Sequence, residues 1–422
     1  MQVFIYNFFI FLYSIAARIA GLFNEKAAKW TGGRKNIFGH IAASLRPGEK
    51  RVWFHCASVG EFEQARPLIE EIRRINPGLK ILITFFSPSG YELHRNYPLA
   101  DYVFYLPLDG RSRARRFLDL TDPYLVIFVK YEFWYHYLTL IRKRGIPAAL
   151  VAAAFREEQP FFKWYGSLFR EVLKSFRYIF VHDADSAGLL QQIGLKEGVF
   201  IAGDTRYDRV HQIAAAARTF PVVEAFKGES RLVIAGSTWP ADEELLKECF
   251  SVFPRDWKLV IAPHELHADH IRSIEAMFGG ESVLFSRFDG TDAAKRVLIV
   301  DNMGMLSAIY RYGSVAYVGG GFLKGGIHNT LEPAVFGLPV LFGPVYRKFI
   351  EAVALADHGF GFPVGNADEC RELLIKFMTE QEYLAAVSAD LKAYILTQVG
   401  AKDRIISLLS PHISPELSHT GS

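Results

Sequence analysis

The sequence predicts an α/β protein built on two doubly wound parallel sheets. Three observations carry that expectation. After residue 50, short apolar β-rich runs alternate with longer amphipathic stretches, the pattern of a parallel sheet covered by helices. The rhythm weakens through the alanine-rich, polar stretch "RYDRVHQIAAAARTFPVVEAFKGES" and then restarts, which puts a boundary near residues 207–229. At 422 residues the chain is long for one core, and two domains of roughly 200 residues are expected.

The chain opens with "MQVFIYNFFIFLYSIAARIAGLF", aromatic and nearly free of charge until Arg18. The basic residues Arg18, Lys26, Lys29, Arg34 and Lys35 follow the apolar run, the reverse of a cleaved signal peptide. The run, about 16 or 17 residues, is just short of the roughly 20 needed to span hydrocarbon as a helix. It therefore spans marginally, lies in the interface as an anchor, or is a buried core helix.

The strand candidates of the first half are "RVWFHC", "KILITFF", "DYVFYL", "YLVIFV", "PAALVAAA" and "YIFVH". Between them lie helix candidates such as "EFEQARPLIEEIRRI", "RARRFLDL" and "FWYHYLTLIRKRG". In the second half "RLVIAGS", "WKLVIAP", "KRVLIVD", "SVAYVGG" and "LPVLFG" repeat the pattern. Lys plus Arg exceed Asp plus Glu by only three, so total charge gives no argument for nucleic acid. Cys56, Cys249 and Cys370 are far apart and form no CxxC pair, which fits a reducing, cytosolic setting and supplies no disulfide or metal framework.

The chemistry is expected in loops at strand ends, where ligands of doubly wound sheets bind. In "VGGGFLKGGIHNTLEPAVFGLPVLFGP" three glycines, Gly320 and Gly321 among them, follow an apolar strand and let backbone N–H groups approach a ligand. "GGIHNTLEPA" is expected to open a helix whose amino end favours phosphate, with Asn329 as its cap. Glu332, in the first turn, suits two ribose hydroxyls better than a phosphate; the alternative is a capping pair with no ligand. In "AGSTWPADEELL", Ser237 and Thr238 either bind anionic oxygens or cap a helix beginning at Pro240. His264, His267 and His270 recur at spacings of three and six, unlike the i, i+4 pair of a zinc helix, so no metal site is expected. His264, directly after Pro263, is read as a nucleotide contact.

In the first half, "ASVGEFEQARPL" with Ser58, Gly60 and Glu61, and "TFFSPSGYE" with Ser87, Ser89 and Gly90, each end a strand and open a helix on a shared rim. "FVKYEFWYHY" adds Lys130 and Glu132, and "GDTRYDR" adds Arg206. On helix rules alone Glu61 is only a favourable first-turn charge. The architecture resembles a two-domain GT-B glycosyltransferase, two Rossmann-like domains facing a cleft, with the apolar anchor helix ahead of them. The same pattern also covers nucleotide-sugar epimerases and non-catalytic sugar or lipid sensors.

"HCASVGE", "TFFSPSG", "YEFW", "GST", "DNMGML" and "GGIHNTLEPAVFGLPVLFGP" occur in the order and approximate spacing of the bacterial Kdo (3-deoxy-D-manno-octulosonic acid) transferases. The chain resembles that family over almost its whole length, most specifically in the SVGE and HNxLEP loops. The resemblance implies an inverting, metal-independent transfer of Kdo from CMP-Kdo, with no other cofactor, to a lipid A precursor at the cytoplasmic face of the inner membrane. It implies a membrane-anchoring segment over 1–35, an acceptor-binding domain over 36–215 and a CMP-sugar-binding domain over 216–412. By position Glu61 becomes the base that deprotonates the acceptor hydroxyl, and Arg206, where many relatives have lysine, stabilises the departing CMP. The CMP site becomes Pro263 and His264, Met303, Gly304 and Met305, and Asn329, Thr330, Leu331 and Glu332.

Departures from the family pattern are local. Many relatives carry an acid at Lys130, so the second acid is missing or its role passes to Glu132. His264 stands where they have arginine, and Ile327 interrupts their GGHN. Lys130 then becomes a candidate for an acceptor phosphate or the Kdo carboxylate. Arg111, Arg113, Arg115 and Arg116 of "RSRARRF" are candidates for anionic head groups, or simply a solvated helix face.

Overall fold

The computed structural model describes residues 2–414; of the expected anchoring segment, only Met1 lies outside them. The first sheet holds β1 (Arg51–Cys56), β2 (Lys80–Phe85), β3 (Tyr102–Tyr105), β4 (Pro123–Val129), β5 (Ala148–Ala153), β6 (Tyr178–Val181) and β7 (Val199–Ile201). Its order is β3-β2-β1-β4-β5-β6-β7, parallel throughout. Alternate residues of β1 serve opposite faces, as the period of two requires. Val52, Phe54 and Cys56 join one core and Trp53 the other. Both faces are covered, so the strand is buried at every position.

The second sheet holds β8 (Arg231–Thr238), β9 (Trp257–Pro263), β10 (Ser282–Leu284), β11 (Val297–Ile299), β12 (Val315–Val318), β13 (Val340–Phe342) and β14 (Gly361–Pro363). Its order is β10-β11-β9-β8-β12-β13-β14, again parallel. These are the two Rossmann-like lobes of a GT-B fold. In each sheet the chain starts in the middle, builds one side and then crosses to the other. The resulting switch points lie between β1 and β4 and between β8 and β12, where loops diverge and leave room for a ligand.

The chain divides into one compact unit that runs to Arg209 and takes back the chain from Val399, and a second, Val210–Gln398. The helix Ala401–Ile413 belongs to the first unit because Ile405, Leu409 and Ile413 enter the core that contains Val52 and Phe54.

The amino-terminal helix, Gln2–Ala20, has no fully buried residue and is long and apolar enough to cross a membrane by length and composition alone. Val3, Tyr6, Ile10, Ser14 and Ala17, spaced three or four apart, form its half-buried stripe against the first unit. Polar bonds fix it there: Tyr6 Oη donates to Asp109 Oδ2 at 2.6 Å, Asn7 Oδ1 lies 2.6 Å from His136 Nε2, and Ser167 Oγ donates to Gln2 Oε1 at 2.7 Å. The opposite face holds Phe4, Phe8, Phe9 and Phe11, each more than half exposed.

Candidate active site

The switch point of the first sheet gathers the acids expected from the sequence. Ser58 caps the helix Val59–Ile75, which begins directly after β1, and its Oγ accepts from the Glu61 amide at 3.5 Å. Glu61 turns back so that its Oε2 accepts from the Ala57 amide. Burial, and then the charge of Glu132, push the Glu61 carboxyl up to about 8, against the Ala57 N–H, the Lys130 charge and the Ser58 N–H. Glu61 is thus a carboxyl group poised near neutrality, which a solvated helix-start acid is not.

Glu132 follows β4 and ends a chain of hydrogen bonds through the sheet. Trp53 Nε1 donates to Thr84 Oγ1 at 2.8 Å, and that hydroxyl lies 2.8 Å from His55 Nδ1. His55 Nε2 lies 2.9 Å from Glu132 Oε2, which also accepts from Trp134 Nε1 at 2.6 Å. His55 thus links the Thr84 hydroxyl to Glu132 through its two ring nitrogens, so each member of the chain has a partner. Glu132 is held as an oriented acceptor. His55 was not singled out from the sequence; the available signal was a polar residue inside the apolar strand "RVWFHC", fully buried in the structure.

Lys130 adopts a left-handed backbone, φ 60°, just past β4, an uncommon conformation for a non-glycine residue. Farther along the same rim, Asp204 grips Arg206: its Oδ2 accepts from Nε at 2.8 Å and Nη2 at 2.6 Å, and its Oδ1 from the Arg206 amide at 2.9 Å. Burial alone would raise Asp204, but Arg206 and His182 hold it well below the usual carboxylate range. Burial lowers the His182 imidazole; Asp204 opposes that shift, while the Arg206 and Lys130 charges reinforce it. The Lys130 and Arg206 charges thus both reach His182, with Arg206 already paired to Asp204. Ser87 and Ser89 stand after β2, where Ser87 Oγ accepts from the Gly90 amide at 3.2 Å and lies 3.2 Å from Ser89 Oγ. Gly60 is exposed beside Glu61.

In the second unit the strand order β11-β9-β8-β12 aligns four loops on one edge. They carry Met303, Gly304 and Met305, then Pro263 and His264, then Ser237 and Thr238, and last the glycine loop with Asn329 to Glu332. Thr238 is fully buried and its hydroxyl donates to Glu243 Oε1 at 2.9 Å, so it serves the fold. Ser237 takes φ 54°. Buried Asp242 ties two loops together by accepting from the Trp239 amide and the Gly320 amide, both at 2.9 Å, and from Tyr317 Oη at 2.7 Å.

The glycines answer first to backbone packing. Gly320 has φ 90°, and a Cβ at Gly321 would collide with the Gly343 backbone. Gly321→Ala must push the two loops apart and is expected to cost about 1–3 kcal/mol, read as a lower denaturation midpoint with unchanged slope; an unaltered midpoint would contradict the packing.

The helix after the glycine loop is a single turn, Leu331–Ala334, too short to supply the dipole that the sequence suggested. Thr330 stands at its start with no side-chain cap, and its hydroxyl is buried without a partner. Asn329 instead closes a local turn, with Oδ1 accepting from the Leu331 amide at 3.0 Å and Nδ2 donating to Glu332 Oε1 at 3.1 Å. His264 stacks on His328, centroids 4.3 Å apart, and on Trp239 at 4.9 Å, while Trp239 Nε1 donates to His328 Nε2 at 3.1 Å. Burial, and then His264, hold His328 down to about 4. His264 at the stack and Met303 on the neighbouring loop are both exposed. His270 is instead 2.8 Å from Glu243 Oε2. Among the described residues no three His, Cys, Asp or Glu side chains gather as a metal cluster.

A family model for "3-Deoxy-D-manno-octulosonic-acid transferase (kdotransferase)" matches residues 33–209. The 3-deoxy-D-manno-octulosonic acid transferase of Aquifex aeolicus is 30% identical over 356 residues, 83% of this chain and 90% of that one. That of Chlamydia muridarum is 30% identical over 339 residues, 75% of each. Among solved structures, UDP-GlcNAc 2-epimerase from Neisseria meningitidis bound to UDP-GlcNAc has a TM-score of 0.58 at 16% identity, covering 86% of this chain and all of that one. MurG of Acinetobacter baumannii has a TM-score of 0.54 at 12% identity, over 86% of this chain and 99% of that one. At these identities the structures share the fold alone.

Proposed function

The chain belongs to the 3-deoxy-D-manno-octulosonic acid transferase family, enzymes of glycosyltransferase type, and on that premise we propose that it transfers Kdo from CMP-Kdo to a lipid A precursor with Glu61 as the base. The observation that carries the proposal is the pair Glu61 and Glu132 at the first switch point, one carboxyl raised toward neutrality and the other fixed by His55 and Trp134. The acceptor hydroxyl oxygen forms a bond to the anomeric carbon of Kdo, the bond from that carbon to the CMP phosphate oxygen breaks, and the hydroxyl proton passes to Glu61. Displacement from the face opposite the leaving group inverts the anomeric centre and needs one base. CMP departs as a phosphate monoester anion, which Arg206 stabilises, and Lys130 takes an acceptor phosphate or the Kdo carboxylate. The rim with His264, Met303 to Met305 and Asn329 to Glu332 takes CMP; the reaction uses no metal and no further cofactor.

The docked stripe of helix Gln2–Ala20 supports an anchor lying in the cytoplasmic leaflet of the inner membrane. A spanning helix would have to carry Tyr6 and Asn7 into hydrocarbon without their partners. An enzyme whose acceptor remains in the leaflet gains from such a surface.

CMP release tests the reading: it is expected only when both CMP-Kdo and the lipid acceptor are present. Release at the same rate without acceptor would contradict transfer. Because Glu61 must be ionised to accept the proton, kcat/KM is expected to rise as pH climbs through about 8. Glu132→Gln removes the largest charge acting on Glu61 and should move that limb to lower pH; a limb that stays in place would separate the two acids.

A further inference from the structure

In the second unit the loop over residues 263–267, which follows β9 and carries His264, is closed into a ring of hydrogen bonds with its neighbours. The His264 amide donates to the Thr238 carbonyl oxygen at 2.9 Å. The Thr238 hydroxyl donates to Glu243 Oε1 at 2.9 Å, and Glu243 Oε2 lies 2.8 Å from His270 Nε2. His270 Nδ1, 2.9 Å from the Glu265 carbonyl oxygen, completes the ring. Thr238 ends β8, Glu243 stands in the first turn of helix Pro240–Phe250, and His270 stands near the start of helix Ala268–Phe278.

The partners fix the protonation of His270. A carbonyl oxygen only accepts, so Nδ1 carries a proton, and Nε2 faces a carboxylate whose other oxygen already accepts from Thr238. The ring therefore donates at both nitrogens, as an imidazolium paired with Glu243. The Glu243 side chain is only 2% exposed, and a carboxylate so placed needs a counter-charge. Burial opposes the His270 charge, but the Glu243 carboxylate, and after it the Glu265 carbonyl and side chain, outweigh burial and hold the imidazole above its ordinary 6.5. Among the described residues the charges acting on it are Glu243, from the helix packed beside it, and Glu265, which is 4.0 Å from exposed His267. Lys247, on the same helix as Glu243, lies instead over the Phe278 ring.

We propose that His270 is a positioning residue for the donor, its imidazolium clamping the Glu265 carbonyl to Glu243 and so holding Pro263 and His264 in place for the CMP group. The loop is gripped on both sides of His264, by its own amide and by the next residue's carbonyl, so its backbone cannot turn without breaking a charge-assisted bond. A neutral imidazole has one N–H and serves Glu243 or Glu265, not both. Donor affinity is therefore favoured by acid, whereas the base Glu61 gains with rising pH. At saturating donor the first effect vanishes and leaves the second in view.

The role rests on the reading of residues 263–264 as part of a CMP site. Binding of CMP to the full-length protein is measured by calorimetry without sugar donor or acceptor, and exchange of the 264–267 amides is followed on the same samples. His270→Gln, whose amide nitrogen reaches the Nε2 position, keeps a donor for Glu243 and releases Glu265. It is expected to speed exchange in the loop and to weaken CMP binding, each about tenfold, with little change in melting temperature. The affinity of the unaltered protein should fall toward that of the variant as pH rises past the raised imidazole value, a limb the variant lacks. Glu243→Gln removes the counter-charge and should move that limb to lower pH; a limb that stays in place would overturn the imidazolium. Unchanged loop exchange in His270→Gln would overturn the clamp. A loosened loop with undiminished CMP affinity would overturn the positioning role and leave a purely structural pair. An unaltered protein that binds no CMP, while the variant loop still loosens, would overturn the CMP reading of this rim and the role with it.

Discussion

Glu61→Gln is expected to lower kcat for Kdo transfer by about 10²- to 10⁴-fold while the fold stays intact. Glutamine keeps the size of the side chain and its place after the SVGE turn but cannot take the acceptor proton. The same change should improve stability at alkaline pH. Burial and Glu132 raise Glu61 in the folded chain to about 8, above its ordinary 4.5, so the folded state holds a proton that the unfolded chain releases. The stability from this group is complete below about 4.5 and is lost as pH rises through about 8. Glutamine escapes that loss, so the variant's melting temperature at pH 9 should equal or exceed that of the unaltered protein. Turnover within about threefold of normal would remove Glu61 from the chemistry, because general bases contribute far more.

Arg206→Ala is expected to produce two losses of different origin. Turnover should fall about 10²- to 10³-fold as the departing phosphate loses a positive partner. Stability should fall by about 3–5 kcal/mol, because Asp204 is left as a buried carboxylate without its main counter-charge. Asp204→Asn in the same chain separates the effects: the double variant should recover most of the stability and none of the turnover. Full recovery of turnover would assign Arg206 to the fold alone. The depressed carboxyl also sets an acid limit. Its stabilising contribution is present above the ordinary value of 3.8 and is lost as pH falls through the lower folded value, so melting near pH 3 should reveal it in the unaltered protein.

The interior strands were legible because strands buried on both faces read as continuous apolar runs. "RVWFHC" and "WKLVIAP" became β1 and β9 within their expected bounds. The strands that escaped, β7, β10 and β14, are three residues long and lie at sheet edges. With one neighbour and few residues, they leave little pattern to detect. The return of helix Ala401–Ile413 to the first unit was also invisible, since it depends on Leu409 joining a core that Val52 and Phe54 begin at the other end of the chain.

The candidate site shows the same division. Helix rules read Glu61 only as a first-turn charge behind its cap, and Ser58 does cap that helix; the expectation of a base came from the resemblance of the SVGE loop. The environment of Glu61 could not be found, because Glu132 approaches only through the crossing from β3 to β4, and the His55 chain joins three strand-end regions. The glycine loop was read for ligand approach, whereas Gly321 is required first by its contact with Gly343. Thr238 likewise belongs to an internal bond with Glu243, a partner that the sequence places on the next helix without indicating its direction.

The most direct test is the mass of the lipid product after incubation of the full-length protein with CMP-Kdo and a membrane-borne lipid A precursor. Transfer predicts a lipid heavier by one or more Kdo units, formed together with CMP and lost in Glu61→Gln. A lipid of unchanged mass, with the sugar nucleotide epimerised or untouched, would contradict it.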